Sequence, residues 1–197
     1  MAEILSNSAP HMRTNRLFDT AEAIWSCPSC RRYKKEIGSK RVDGTVLFAV
    51  VRHHDHIRDY PPDYFRKRLG KDWARLLEER SPGAWAFIDR IQAFTISFSH
   101  TRICQPCNHM EHEAKIITKA PKYFSFPPQA MREFVTIGHA TCLSLNRPAL
   151  KATYSRLLPD YQMRFNVADQ FVRNLERGMF WADYSIPRER LRDSAHN

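Results

Sequence analysis

The sequence of 197 residues contains no hydrophobic run that is long enough to cross a membrane. Its longest apolar run extends from Val46 to Val51, whereas a membrane-spanning helix needs about 20 apolar residues. Residues 1–20 also lack the continuous apolar segment of a secretory signal. From these absences we expect a cytoplasmic protein with no membrane partner.

Acidic residues are scarce in comparison with basic ones. The chain has 21 Asp and Glu against 31 Lys and Arg, which gives a net charge of +10. A surplus of this size predicts a polyanionic partner, and nucleic acid is the commonest one. The hydrophobic content of 43% is sufficient for a core and excludes a disordered chain.

Cysteine is sparse but regularly placed. Four of the five cysteines form two C-x-x-C pairs, Cys27-Pro-Ser-Cys30 and Cys104-Gln-Pro-Cys107. In a reducing cytosol, paired cysteines are more typical of metal ligands than of disulfides. Two such pairs supply four thiolates to one tetrahedral ion, so the spacing predicts a structural Zn²⁺ site. The fifth cysteine, Cys142, is expected to be a small buried residue.

Histidine is abundant between the two cysteine pairs. Residues 45–54 are apolar and β-branched, which predicts one buried strand that leads into a histidine-rich segment. Phosphodiester hydrolysis needs a base for water and a hard cation, such as Mg²⁺, for the developing charge. His56 supplies an imidazole, Asp55 a carboxylate and Asn108 an amide oxygen. These three residue types meet the needs of that reaction.

The alternation of a strand leaves one choice open in the histidine-rich segment. Side chains two residues apart share a face, so His54 and His56 are predicted on one face and His53 and Asp55 on the other. We prefer His56 as the base, with His54 as the alternative. We expect His53 to support the structure or the site rather than to react.

The segments Asp55-His56-Ile57 and Cys104-Gln-Pro-Cys107-Asn108 resemble the signature of the HNH, or ββα-metal, endonuclease family. The closest similarity is to its zinc-containing branch, which includes the endonuclease VII proteins of phages. That pattern has a C-x-x-C pair, an Asp-His strand, a second C-x-x-C pair followed by Asn, and a nearby Glu and Lys. The resemblance covers roughly residues 24–118.

The resemblance implies an α+β fold with a ββα-metal nuclease core stapled by the zinc site. It also implies that Asp55 and Asn108 hold a catalytic Mg²⁺ or Mn²⁺ and that His56 activates water. Glu111 matches an acidic position that assists the metal or orients a water, and Lys115 matches the nearby lysine. The long stretch between His56 and Cys104 departs from the minimal pattern.

Further candidates follow from position alone. His112 lies one turn after Asn108 on the same helix face and is a candidate third ligand of the catalytic metal. Basic residues follow the first cysteine pair directly, where a solvated loop and a phosphate contact are equally compatible with the sequence. The candidates for nucleic-acid contact are Arg31, Arg32, Lys34, Lys35 and Lys115.

We predict an N-terminal lead over 1–23, a nuclease domain over 24–120 with a helical insertion at 61–93, and a helical C-terminal region over 121–197. After the insertion, alternating apolar residues predict a strand over 94–98. Cap and break residues in the C-terminal region predict three helices. Their starts and ends are marked by Ser125 and Gly138, by Asn146 and Pro159, and by Asn166 and Gly178.

The sequence therefore favours a metal-dependent endonuclease that cuts DNA, which we expect to be double-stranded. Such enzymes act in phage defence, restriction or phage DNA processing, and the residues do not choose among these roles. The alternative is a non-catalytic zinc-ribbon DNA-binding protein or regulator. The C-terminal helices are candidates for homodimerisation, for a partner protein or for contact with DNA.

Overall fold

The structure is a computed structural model, and it describes residues 11–138 and 142–178. It confirms the predicted α+β class, because helices and small sheets are both present. The strands are β1 (Met12–Thr14), β2 (Ser39–Lys40), β3 (Val46–Phe48), β4 (Val50–His53), β5 (Thr101–Cys104), β6 (Val135–Ile137) and β7 (Leu143–Leu145). The helices are α1 (Arg16–Asp19), α2 (Tyr60–Leu69), α3 (Trp73–Arg80), α4 (Ala84–Thr95), α5 (Gln105–Thr118), α6 (Pro128–Met131) and α7 (Arg147–Glu176).

The chain divides into two compact units. Among the described residues, unit 1 comprises 11–58, 96–138 and 142–164, and unit 2 comprises 59–95 and 165–178. Helix α7 contributes its first part to unit 1 and its last part to unit 2. Every predicted zinc ligand and catalytic residue belongs to unit 1.

Unit 1 contains three small sheets. Strand β3 pairs in parallel with β1 and antiparallel with β2, while β4 pairs antiparallel with β5 and β6 with β7. Strand β4 is buried at Val50, which lies opposite Cys104 in the register with β5. Helix α5 follows β5 without an intervening loop, so the β4–β5 pair and α5 form a continuous framework for the residues described below.

Aromatic rings form much of the core of unit 1. The ring centroid of Phe126 lies 4.8 Å from that of Phe124 and 4.9 Å from that of Phe134. Phe124 also packs against Tyr154 and Tyr161 of α7, at centroid distances of 5.1 and 5.3 Å. Tilted and edge-on ring pairs at these distances are favourable beyond the area that they bury. This packing fixes the backbone around Phe126, which contacts the candidate site.

Unit 2 consists of α2, α3, α4 and the end of α7. The three helices occupy Tyr60–Thr95, where the sequence predicts a helical insertion over 61–93. Phe65 stacks on Trp73 with ring centroids 6.4 Å apart, and Trp73 lies 5.0 Å from Trp85. In the described part of the chain, no helix combines the length and the apolar character that a membrane crossing requires.

Two predicted strands are placed differently by the structure. The strand predicted over 45–54 is divided at Ala49, and its halves β3 and β4 pair in different sheets. The prediction of a strand over 94–98 is wrong, because α4 continues to Thr95 and the next strand begins at Thr101. Of the alternating apolar residues, Phe94 lies on the exposed side of α4, and Ile96 and Phe98 follow the end of that helix.

The C-terminal helices also differ from the prediction. Residues near Gly138 form β6 rather than a helix, because the β-branched Val135, Thr136 and Ile137 pair with β7. Asn146 does start a helix, and its side chain accepts a hydrogen bond from the amide of Ala149 at 3.1 Å. That helix, α7, continues through Pro159 instead of ending there. Its apolar face is buried on both sides of the proline, at Leu150 and Tyr161, and this packing outweighs the lost hydrogen bond.

The two ends of the chain are only partly described. Of the predicted lead at 1–23, residues 12–14 form β1 and pair with β3 rather than standing apart. The last helix predicted before Gly178 is the end of α7, and Gly178 has the positive φ, 70°, that commonly follows a helix. The remainder of the predicted C-terminal region, from 179 to 197, lies outside the described residues.

Candidate functional site

The four paired cysteines form a cluster in unit 1, which we call the cysteine cluster: Cys27, Cys30, Cys104 and Cys107. All four side chains are buried, and their sulfur atoms lie within 4.8 Å of one another. The Sγ atoms of Cys30 and Cys104 are 3.8 Å apart, too far for a disulfide bond of about 2.05 Å. The cluster therefore consists of four free thiols that face a common centre.

This geometry suits a tetrahedral zinc ion. Zinc–sulfur bonds of about 2.3 Å in a tetrahedron imply sulfur–sulfur separations of about 3.8 Å. The Cys30–Cys104 distance of 3.8 Å equals that separation. Four buried thiolates in this arrangement can hold a structural zinc, as the sequence predicts.

The ionisation of the thiols also favours a cation. A hydrogen bond with Cys104 lowers the pKa of Cys27 to about 7 and lowers the pKa of Cys30 as well. The thiol of Cys104 and the other neighbours raise the pKa of Cys107. Four adjacent sulfurs cannot all hold a negative charge unless a positive ion shares the site, so the donor set matches a divalent metal.

The basic residues after the first cysteine pair have unequal surroundings. Arg32 is buried with 4% of its surface exposed, and its guanidinium faces the sulfurs. The Nζ of Lys34 donates to the carbonyl of Ala21 at 2.8 Å. Arg31 and Lys35 are exposed. Of these four candidates for nucleic-acid contact, Arg31 and Lys35 have the open surface that a phosphate contact needs.

The histidine-rich segment lies at the end of β4. The predicted alternation is seen in its burial, because His53 and Asp55 are buried while His54 and His56 are half-buried. The rings of His54 and His56 have centroids 5.1 Å apart. His100, which precedes β5, packs against His54 at a centroid distance of 5.2 Å. Imidazole groups from two segments of unit 1 thus meet on one partly open face.

His53 lies on the inner side of this segment. Its Nε2 atom is 2.9 Å from the carbonyl oxygen of Phe126, and its ring stacks on Phe98 at 5.2 Å. Burial lowers the pKa of His53 below its ordinary value, so the ring is held neutral. These contacts agree with the supporting role that the sequence suggests for His53.

Helix α5 brings Lys115 and Glu111 to His56. The Nζ of Lys115 lies 2.8 Å from Nδ1 of His56 and 3.7 Å from Oε1 of Glu111. Glu111 is buried, and within the described residues its Oε1 has no hydrogen-bond partner. Burial raises the pKa of Glu111, while the charge of Lys115 acts in the opposite direction. We call His53, His54, His56, Glu111 and Lys115 the histidine cluster.

The carboxylate of Asp55 is engaged by residues outside the histidine cluster. Its Oδ2 atom accepts hydrogen bonds from the amide and hydroxyl of Ser97, at 2.8 and 2.9 Å, and from Nη1 of Arg164 at 2.7 Å. Its Oδ1 accepts from the amide of Ile57 at 3.1 Å. Four donors therefore surround a carboxylate that is 2% exposed. This environment is that of a buried ion pair that fastens the loop after β4.

Asn108 and His112 lie one turn apart on α5. Asn108 is half-buried and His112 is exposed. Lys115 follows Asn108 by seven residues, which is about two turns of the helix. Asn108 and Glu111 are separated by three residues and share a face of the helix. Asn108 therefore lies on the same face of α5 as Glu111, whose carboxylate is linked to His56 through Lys115.

Several residues of the site have no local signal in the sequence. Arg164 lies 109 residues from Asp55 in the sequence. The hydroxyl of Ser125 accepts a hydrogen bond from the amide of His56 at 3.0 Å, and these two residues are 69 positions apart. Sequence spacing does not link such distant groups.

Comparison of the chain with models of protein families, with curated proteins and with solved structures finds no match. The resemblance to the HNH family thus stays a prediction from sequence motifs.

Proposed function

We propose that this protein is a divalent-metal-dependent endonuclease of the HNH type that hydrolyses phosphodiester bonds in DNA. The observation that carries the proposal is that His54 packs against His56, and that His56 contacts Lys115 of α5, whose first turn contains Cys107 of the cysteine cluster. Further support comes from the order of β4, β5 and α5 and from the net charge of +10, which suits a polyanionic substrate.

The contact between Lys115 and His56 bears on which histidine activates water. An ammonium group only donates hydrogen bonds, so Nδ1 of His56 accepts from Lys115 at 2.8 Å. A neutral His56 then carries its proton on Nε2 and is a proton donor rather than a base. We therefore assign the general base to His54, the alternative that the sequence left open.

In this proposal each proton has a defined destination. His54 takes a proton from water as the water oxygen bonds to phosphorus. The bond from phosphorus to the leaving oxygen breaks, and Nε2 of His56 donates its proton to that oxygen. In the same step Nδ1 of His56 takes a proton from the ammonium group of Lys115, so His56 remains neutral. General acid–base steps of this kind typically contribute about 10²–10⁴-fold to a rate.

The donors for a divalent cation are proposed from the geometry of α5. Glu111 offers a buried oxygen without a hydrogen-bond partner among the described residues, and Asn108 offers an amide oxygen on the same helix face. Carboxylate and amide oxygens are the ligands that Mg²⁺ and Mn²⁺ prefer. Asp55 is left out of this set because four donors already engage it. A cation bound there would stabilise the negative charge that develops on the phosphate.

Plasmid nicking tests the proposal. Zinc-loaded protein is incubated with supercoiled plasmid in Mg²⁺ or Mn²⁺, and the conversion to open-circular DNA is measured. We expect His54→Ala and Glu111→Gln to reduce the rate by about 10²-fold or more. The matched control is His109→Ala, because His109 lies on the exposed side of α5 and pairs with Glu113 at 3.1 Å. Full activity in folded His54→Ala protein would exclude His54 as the base.

A second function is favoured by the surroundings of Asp55. A zinc-containing protein that binds DNA without cutting it needs no carboxylate that is open to a metal. The carboxylate of Asp55 is buried and paired with Arg164, which agrees with such a function. In the same assay such a protein retards plasmid in a gel in both metals but leaves it supercoiled. Retardation of the plasmid without nicking would contradict the endonuclease proposal and support DNA binding without cleavage.

A further inference from the structure

A buried arginine contacts both halves of the cysteine cluster. The Nε of Arg32 lies 3.4 Å from Sγ of Cys30, and its Nη2 lies 3.8 Å from Sγ of Cys104. Its Nη1 donates to the carbonyl of Glu36 at 3.2 Å. The guanidinium is therefore directed at one sulfur from each cysteine pair and is held in that position by the backbone.

The burial of this side chain needs a compensating charge. An arginine remains protonated in proteins, and a charge with 4% exposure is costly unless it is paired. Four thiolates around Zn²⁺ carry a net charge of −2, which is also buried. Each charge offsets the other, and one arginine reduces the net charge of the buried group to −1.

We propose that Arg32 is the counter-cation of the metal–thiolate cluster and that it sets the affinity of the cluster for zinc. This role is independent of the proposed nuclease activity, because it concerns the metal that holds unit 1 together. It also separates Arg32 from the residues that would contact DNA.

The planar geometry of the guanidinium group, in addition to its charge, matters for this role. Three nitrogen atoms of Arg32 point to two sulfurs and a carbonyl at the same time. A lysine ammonium is a compact point charge on a flexible stem and cannot reach three acceptors in this way. Arg32→Lys is therefore expected to keep part of the effect, and Arg32→Met is expected to lose it.

Zinc affinity measured by competition with a chromophoric chelator tests the proposal. Partners that hydrogen-bond to metal ligands typically change affinity by about 10–100-fold, so we expect a loss of that size for Arg32→Met. The matched control is Arg31→Met, which removes the same charge from an exposed neighbour in the same loop. Arg31→Met should retain the affinity within about twofold. An unchanged affinity in folded Arg32→Met protein would overturn the proposal.

A second measurement distinguishes the possible causes if Arg32→Met folds poorly. Zinc binding stabilises the folded chain by mass action, so a higher zinc concentration should restore the far-UV circular dichroism of Arg32→Met. Restoration supports a role in metal affinity. Failure to fold at any zinc concentration, while Arg31→Met folds normally, would show that Arg32 acts in packing and would contradict the proposal.

Discussion

The cysteine cluster and the histidine cluster both contact α5, but they are built on different principles. The first has four identical soft donors, all buried, around one centre. The second combines imidazole, ammonium and carboxylate groups, and His54 and His56 remain partly exposed. A closed, uniform donor set is typical of structural metal sites, whereas chemistry needs groups that are open to a substrate. The proposed function assigns the reaction to the histidine cluster, and the cysteine cluster can hold a structural metal.

The largest effect is expected when the cysteine cluster loses one of its four thiols. Cys104→Ser removes one of four zinc ligands, and structural zinc contributes roughly 10–16 kcal/mol to the folding of small metal-dependent domains. We expect the variant to lose bound zinc and to unfold unit 1. Metal content per chain and urea unfolding measure this loss. Cys142→Ser is the control, because Cys142 is exposed and lies outside the cluster.

The exposure of Cys142 corrects the expectation that this residue is buried. If Cys104→Ser retained zinc as tightly as Cys142→Ser, the cysteine cluster would not be a four-ligand site.

The second prediction concerns Asp55, which the HNH resemblance places among the metal ligands. Asp55→Asn removes the buried one of the two carboxylates that pair with Arg164, whose side chain is 15% exposed, and should cost about 3 kcal/mol of stability. The urea midpoint is measured without Mg²⁺ or Mn²⁺. The control is Asp160→Asn, which removes an exposed partner of the same arginine and should cost about 1 kcal/mol or less. Equal small losses in both variants would indicate that Asp55 is free to bind a metal.

The third prediction tests the coupling inside the histidine cluster. Lys115→Met leaves the buried carboxylate of Glu111 without a nearby cation, which should cost about 1–3 kcal/mol. Adding Glu111→Gln removes the uncompensated charge and should recover part of this loss. Thermal or urea unfolding of the two single variants and the double variant gives the interaction energy. Strictly additive losses would contradict an interaction between Lys115 and Glu111.

The smallest effect is a pH dependence from His53. Burial lowers the pKa of His53, so the unfolded chain binds a proton more readily than the folded one. Its contribution to stability is complete above the unfolded pKa of about 6.5 and is lost as the pH falls towards the lower folded pKa. His53→Gln keeps a donor for the carbonyl of Phe126 but does not titrate. Its unfolding free energy should decrease less between pH 7.5 and 5.5 than that of the natural sequence.

The comparison of the two variants at each pH cancels contributions that they share, including the protonation of zinc ligands. An identical pH dependence in both proteins would mean that His53 is not held neutral by the fold.

The parts of the fold that were predictable depend on local chemistry. Two C-x-x-C pairs predict a shared site because each pair presents two thiols within one turn of the chain. The alternation around Asp55 follows from the geometry of an extended chain, and the start of α7 follows from the side chain of Asn146. These signals act over a few residues, so the sequence displays them directly.

The unpredictable parts depend on contacts between distant residues. Asp55 has the residue type of a metal ligand, and only the approach of Arg164 and Ser97 shows that its oxygens are engaged. Arg32 is of a residue type that often contacts phosphate, but here its guanidinium faces the sulfur of Cys104, which belongs to the second cysteine pair. Pro159 marks a break by propensity, which the burial of α7 overrides. In each case tertiary packing decides between roles that the residue type allows equally.

The separation of the two cysteine pairs has a consequence during synthesis. Cys30 and Cys104 are 74 residues apart, and ribosomes add about 5–20 residues per second, so the first pair waits roughly 4–15 s for the second. Through this interval the nascent chain offers only two of its four thiols to a metal. Only after Cys107 has left the ribosome can all four thiols meet around one ion, and the rest of unit 1, up to residue 164, is synthesised after that point.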